Sequence, residues 1–224
     1  GLGEYYFQNG ELDKAVETWT ALLKSDLERA EALAKLGQVL AEHGMIEKGL
    51  SHFEKAAEVA PDDDNIRRGL AMAYERARRW QKAVATWRLI LDRTEQPLAA
   101  NEARGRIINI YRRQNRLRSK MREFQQNFEG KKDISDGFFL AEANVKLGEF
   151  KEAEIVFEEL VKLGASDTDK VRGKRIEKQA LVSLEKLYQQ TSSYEKGIAV
   201  LQRLSELMPE QSKDFYHRIA ELSL

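Results

Sequence analysis

The sequence predicts an all-α protein, built as a row of helix–turn–helix hairpins and closed by a C-terminal helix, on three observations. Proline occurs three times in 224 residues while Ala, Leu, Glu, Lys and Arg abound, a composition that favours helix almost throughout. Large aromatic residues recur at a fixed interval, with Trp19, Phe53 and Trp87 each 34 residues apart, and self-similarity at such a period marks a repeat array. Within a period the apolar residues fall at helical spacing, first Leu33, Leu36, Gly37 and Leu40, then Ile46, Gly49, Leu50, Phe53, Ala56 and Ala57.

The other elements follow in the same columns. The aromatic column continues through Phe124 and Phe157 and ends at Leu201. Four residues earlier stands a small residue in five of six cases, namely Ala15, Gly49, Ala83, Ala153 and Gly197. Three residues earlier again stands a bulky apolar one: Leu12, Ile46, Trp80, Leu117, Phe150 and Tyr194. Gly10, Gly44 and Gly148 mark turns just before this column. Gly37 and Gly49 are expected to remove bulk where two helices cross, with Phe53 filling the space beside them. Pro61 ends one hairpin, and Asp62-Asp63-Asp64-Asn65 offers side-chain oxygens to cap the next helix.

The pattern Leu33…Leu36-Gly37…Leu40…Gly44…Gly49…Phe53…Ala56…Pro61 resembles the tetratricopeptide repeat, and Leu70-Ala71…Tyr74…Trp80…Ala83…Trp87…Ile90 resembles it almost as well. The resemblance implies a right-handed α-solenoid. It divides the chain, as one array over 1–224, into units of about 1–29, 30–63, 64–100, 101–133, 134–165 and 166–211, with a capping helix over 212–224. That last helix is expected to turn Phe215, Tyr216, Ile219, Ala220 and Leu222 to one face, covering the end of the array.

Two units depart from the pattern. In the fourth, Lys120 replaces the small residue, and Asn127 stands where Leu22, Ala56 and Ile90 stand elsewhere. That hairpin is expected to pack loosely, held by Leu117, Met121, Phe124 and Phe128. In the sixth, an insertion near 167–177 is expected to lengthen the first helix by about two to three turns, with Val171, Ile176, Ala180, Leu184, Leu187 and Tyr188 continuing one long helix through it. Gly173 argues against an unbroken helix there, at a cost of roughly 1 kcal/mol relative to alanine.

Signals for chemistry are sparse. With no cysteine there is no disulfide, thiolate metal site or cysteine nucleophile, and no compartment follows from redox usage. His43, His52 and His217 lack partners at metal-ligand spacing and read as solvated or structural. Asp62-Asp63-Asp64 lacks the spacing of a calcium loop. No nucleophile–base arrangement or phosphate loop is visible, so the expectation is no enzyme, no metal and no cofactor. Apolar runs fall far short of the ~20 residues of a membrane helix, and the default expectation is a soluble, cytoplasmic chain. Its opening in mid-pattern at Leu2-Gly3 permits a larger parent protein, even an enzyme of which this would be the regulatory repeat region.

Charge position is the informative feature. The chain carries 37 basic and 37 acidic side chains, yet residues 1–63 have a net charge of −7, 64–122 of +11 and 123–224 of −4. Arginine makes up 14 of the 16 cations of the middle segment, and arginine suits bidentate recognition of carboxylate and phosphate. The resemblance implies that first helices line a concave groove, with Glu31, Gln38 and Glu42 followed by Arg68, Met72 and Arg76, then Arg106, Asn109, Arg112 and Arg113. Asn109 falls where the family often places an asparagine that clamps a ligand backbone. The columns of the carboxylate clamp for chaperone C-termini are not filled in the registers from units two, three or four, the last offering Gly105 and Asn109, then Phe139, then Gln179 and Ser183. The expected function is a non-catalytic protein–protein interaction scaffold binding an extended, acidic peptide or partner helix. Rival readings are nucleic-acid binding through the basic waist of 64–122, solvated charge with no ligand, and self-association between the −7 end and the +11 waist.

Overall fold

The computed structural model describes residues 1–21 and 29–222. Among them are thirteen α-helices and no strand, as the composition and periodicity predict. Leu22 and the last two residues of the expected capping segment, Ser223 and Leu224, lie outside the described residues. The chain divides into two compact units, Gly1–Asp92 and Arg93–Leu224.

The first unit holds three hairpins: α1 (Leu2–Gln8) with α2 (Leu12–Thr20), α3 (Arg29–Glu42) with α4 (Ile46–Val59), and α5 (Asp64–Arg76) with α6 (Trp80–Arg93). The crossing of α3 and α4 depends on the two glycines singled out by the sequence. A Cβ on Gly37 would meet the Gly49 carbonyl oxygen at 2.8 Å and the Phe53 ring at 2.9 Å, and one on Gly49 would meet the Gly37 carbonyl oxygen at 2.6 Å. Asp63 caps α5 by accepting from the amides of Asn65 and Ile66 at 2.8 and 3.0 Å. Trp87 is 1% exposed, and its indole N–H donates to the buried Glu75 carboxylate at 2.8 Å. Trp80 is only half-buried, because it opens α6 at the edge of the hairpin.

The second unit holds α7 (Pro97–Arg113) with α8 (Leu117–Lys131), α9 (Ile134–Leu147) with α10 (Phe150–Ser166), and α11 (Lys170–Gln190) with α12 (Tyr194–Leu207). A 3₁₀ turn, Pro209–Gln211, leads into α13 (Ser212–Leu222). Leu117, Met121, Phe124 and Phe128 are buried as expected, and Phe124 stacks on Phe139 with ring centroids 5.1 Å apart. Lys120 lies over the Tyr111 ring, and the backbones of α7 and α8 approach each other less closely than those of α3 and α4 or of α9 and α10.

The lengthened first helix is α11, at 21 residues. Gly173 does not interrupt it but faces the buried Gly164 of α10, where a Cβ would meet the Gly164 carbonyl oxygen at 2.5 Å. All six of the residues expected to continue the helix lie within α11; Ile176, Ala180, Leu184, Leu187 and Tyr188 are buried, while Val171 is 79% exposed. The capping helix also corrects its expected face. Phe215 is buried and Ile219 and Leu222 are half-buried, at i, i+4 and i+7, whereas Tyr216 is 60% exposed and Ala220 is exposed.

One device recurs in both units. Tyr74 of α5 donates its hydroxyl to Glu54 of α4 at 2.8 Å, and Lys82 of α6 reaches the same carboxylate at 3.4 Å while lying over the Tyr74 ring. Tyr188 of α11, Glu154 of α10 and Lys196 of α12 repeat it, with contacts of 2.8 and 2.6 Å. Each clasp ties the second helix of one hairpin to both helices of the next. Burial together with the neighbouring glutamate pushes the Tyr74 hydroxyl up to about 12 and raises that of Tyr188 as well.

Candidate functional site

Each unit carries a groove lined by first helices. In the first unit the groove has a volume of about 570 Å³, with Glu31, Lys35 and Gln38 of α3 facing Gly69, Met72 and Arg76 of α5. The lining residues recur every three or four positions because a helix presents one face to its neighbour. Phe53 forms the floor, and Gly69 admits its ring, since a Cβ there would meet Phe53 at 2.5 Å. Anion and cation are mixed here. Arg76 is exposed and makes no hydrogen bond or ion pair among the described residues.

In the second unit three successive first helices enclose about 470 Å³. Asn101, Gly105, Ile108 and Arg112 come from α7, Glu142 and Lys146 from α9, and Ser183, Lys186 and Leu187 from α11, over Phe157 of α10. A polar chain fixes these helices to one another. Arg104, 4% exposed, donates to Glu142 at 2.6 Å and to the Asn101 side-chain oxygen at 2.5 Å, and Asn101 in turn donates to Ser183 at 3.2 Å. The Arg104 guanidinium also lies 4.4 Å from the centre of the Phe138 ring. Burial pushes the Glu142 carboxyl above its usual range, against the opposing pull of Arg104 and Lys186. The remaining rim, Arg112, Lys146 and Lys186, is cationic above an apolar floor.

The residues expected at the site divide between the units. Met72 and Arg76 line the first groove and Arg112 the second, while Arg68, Arg106, Asn109 and Arg113 line neither. Arg68 and Arg106 are already engaged within the chain. Asn109 is half-buried, and its buried side-chain oxygen has no partner among the described residues. The α7 lining is Asn101, Gly105, Ile108 and Arg112, and Asn109 is not part of it. Two other arginines of the basic middle segment are paired within the chain, Arg79 with Glu47 at 3.6 Å and Arg118 with Glu149 at 2.7 Å. Sequence reasoning missed Lys146, Lys186 and the Arg104–Glu142 pair. Arg104, a charge set among Ala100, Ala103, Ile107 and Ile108, was the available signal.

His43 is structural, its ring 4.4 Å from Phe7 and 4.8 Å from Trp19 by centroid, with Nε2 2.7 Å from Glu4. His52 is half-buried, and burial lowers its imidazole below the usual range. Among the described residues no group of three or more His, Cys, Asp or Glu could hold a metal ion, and no helix is long and apolar enough to cross a membrane.

Residues 1–50 and 43–100 match the tetratricopeptide repeat model. Residues 1–100 therefore carry tetratricopeptide repeats. Repeats of this family mediate protein–protein interaction, and the fold is typically a non-catalytic scaffold. Residues 140–164 match the PPR repeat model. No curated protein matches it. Among solved structures it is similar to a tetratricopeptide repeat protein from Parabacteroides merdae, at 14% identity and a TM-score of 0.44, covering 99% of this chain and 91% of that one. It is also similar to pilF of Pseudomonas aeruginosa, at 14% identity and a TM-score of 0.44, covering 97% and 94%. A thermophilic tetratricopeptide repeat protein of Thermus thermophilus matches at 17% identity and a TM-score of 0.42, covering 86% and 98%.

Proposed function

We propose that the chain is a non-catalytic scaffold whose second-unit groove receives an extended, acidic segment of a partner protein. The observation that carries this reading is the ring of Arg112, Lys146 and Lys186 above Ile108, Phe157 and Leu187. Cations over an apolar floor suit a strand or helix that alternates carboxylates with apolar side chains, and clustered cations attract such a segment from a distance. The Glu142–Arg104–Asn101–Ser183 chain holds the three helices in place before the ligand arrives, which lowers the cost of ordering on binding. In the first unit Met72 and Arg76 form a second, more mixed surface for the same class of ligand.

The test is fluorescence anisotropy of a labelled peptide of alternating Glu and Leu against the parent chain and an Arg112→Glu, Lys146→Glu variant. The reading expects affinity that falls with added salt, and a loss of about tenfold or more in the variant. Unchanged affinity in the variant removes the groove assignment. The PPR match at residues 140–164 is the observation that favours nucleic acid instead, since arrays of that repeat read one base per repeat. Glu142 in the lining and the absence of an exposed aromatic for base stacking among the lining residues weigh against it. Filter binding of a single-stranded oligonucleotide at low salt separates the two.

A further inference from the structure

At 21 residues α11 is about one turn longer than α7 and two turns longer than α3 or α9, and its first two turns carry a surface of their own. Lys170, Val171, Lys174, Arg175 and Lys178 stand at i, i+1, i+4, i+5 and i+8, which gathers them on one side of the helix. Together with Asp169, Arg172 and Glu95 from the segment before α7, they line a concavity of about 550 Å³. It shares no residue with the groove assigned above.

The opposite side of these turns is firmly seated. Gly173 lies against the Gly164 backbone, Ile176 is buried, and the buried Glu177 receives Arg203 of α12 at 2.8 Å. The nearby acids are consumed locally. Asp167 is bound through both its oxygens by Arg172, at 2.8 and 3.0 Å, and Asp169 caps the helix by accepting from the amides of Val171 and Arg172. Lys170, Lys174, Arg175 and Lys178 make no hydrogen bond or ion pair among the described residues. Four cations with no hydrogen-bonded or ion-paired partner among the described residues thus surround Val171, an apolar side chain left 79% exposed, against two acids in the lining, Glu95 and Asp169.

We propose that this face of α11 is a second docking surface, for an acidic segment of a partner protein that seats an apolar side chain on Val171. Charge complementarity sets the class of partner. The choice of protein over nucleic acid rests on two residues. Val171 offers a phosphate backbone nothing, and Glu95 on the rim repels one while tolerating a protein segment whose carboxylates are spaced apart.

The experiment measures anisotropy of three labelled probes: a peptide of alternating Glu and Leu, a peptide of alternating Glu and Ser, and a single-stranded oligonucleotide of similar charge. Each is titrated with the parent chain, Lys174→Glu/Arg175→Glu, Val171→Ser and the groove variant Arg112→Glu/Lys146→Glu. All the substituted side chains are exposed, and circular dichroism verifies that helix content is retained. The proposal expects two classes of site for the Glu/Leu peptide. Lys174→Glu/Arg175→Glu should weaken one of them about tenfold and Val171→Ser about threefold, with the groove variant leaving that class intact. The Glu/Ser peptide should bind it more weakly and be indifferent to Val171→Ser. Glu/Leu binding unaltered by Lys174→Glu/Arg175→Glu overturns the proposal, as does an oligonucleotide that binds this face more tightly than either peptide. Loss of all Glu/Leu binding in the groove variant also overturns it, while leaving the groove reading standing.

Discussion

The hairpins α3–α4 and α7–α8 have the same plan and close differently. In α3–α4, Gly37 and Gly49 bring two backbones within reach of each other's carbonyl oxygens, and Phe53 seals the side of the contact. In α7–α8 the matching position is Lys120, whose long side chain lies over Tyr111, so the helices stay further apart and are joined by Leu117, Met121, Phe124 and Phe128. The chain reuses the glycine device elsewhere, at Gly164 and Gly173, to join α10 of one hairpin to α11 of the next. A glycine pair therefore permits close backbone contact whether or not the two helices belong to the same hairpin, and α7–α8, which has none, is joined through its side chains.

Substitutions can break this contrast in a graded order. Trp87→Ala should be the most damaging, at about 3–5 kcal/mol in denaturant unfolding, because it empties a filled core position and leaves Glu75 without the indole donor. Gly49→Ala should come next, at about 1–3 kcal/mol: the new methyl meets backbone at 2.6 Å, and that strain outweighs the roughly 1 kcal/mol that alanine gains inside a helix. Gly105→Ala should reverse the sign and stabilise by about 0.5–1 kcal/mol, since nothing lies within 4 Å of a Cβ there. Lys120→Ala should move stability by less than about 0.5 kcal/mol, because the separation of α7 and α8 is already accommodated by their neighbours. If Gly49→Ala and Gly105→Ala prove equal in effect, the distinction between a crossing glycine and a surface one fails.

Alkaline titration sharpens the comparison of the two units through their clasps. The Tyr74 hydroxyl is raised in the folded chain, so the stability it contributes is complete below its ordinary value near 10 and is lost as pH rises through about 12. Unfolding midpoints should fall across that window, and Tyr74→Phe should flatten the fall. Tyr188 shifts in the same direction, so Tyr188→Phe should flatten it further.

Much of the fold was legible in sequence because its signals are local: the 34-residue interval, the two glycines, the Asp63 cap and the length of α11 each follow from neighbouring residues. The features that were not legible depend on which flank a helix turns to its neighbours. Val171 and Ile176 look alike as apolar residues at helical spacing, and only the seating of Gly173 on Gly164 decides that Val171 faces outward. Asn109 and Ile108 differ by one position, yet only Ile108 reaches the groove. Arg104 and Glu142 are far apart in sequence, and each alone reads as a surface charge.

The clasps have a practical consequence for anyone cutting or recombining such an array. Glu54 lies on one hairpin while Tyr74 and Lys82 lie on the next, and Glu154 stands in the same relation to Tyr188 and Lys196. A splice between α4 and α5, or between α10 and α11, would part an acceptor from both its donors. The natural module for transplantation is three helices long, starting from the second helix of the hairpin before.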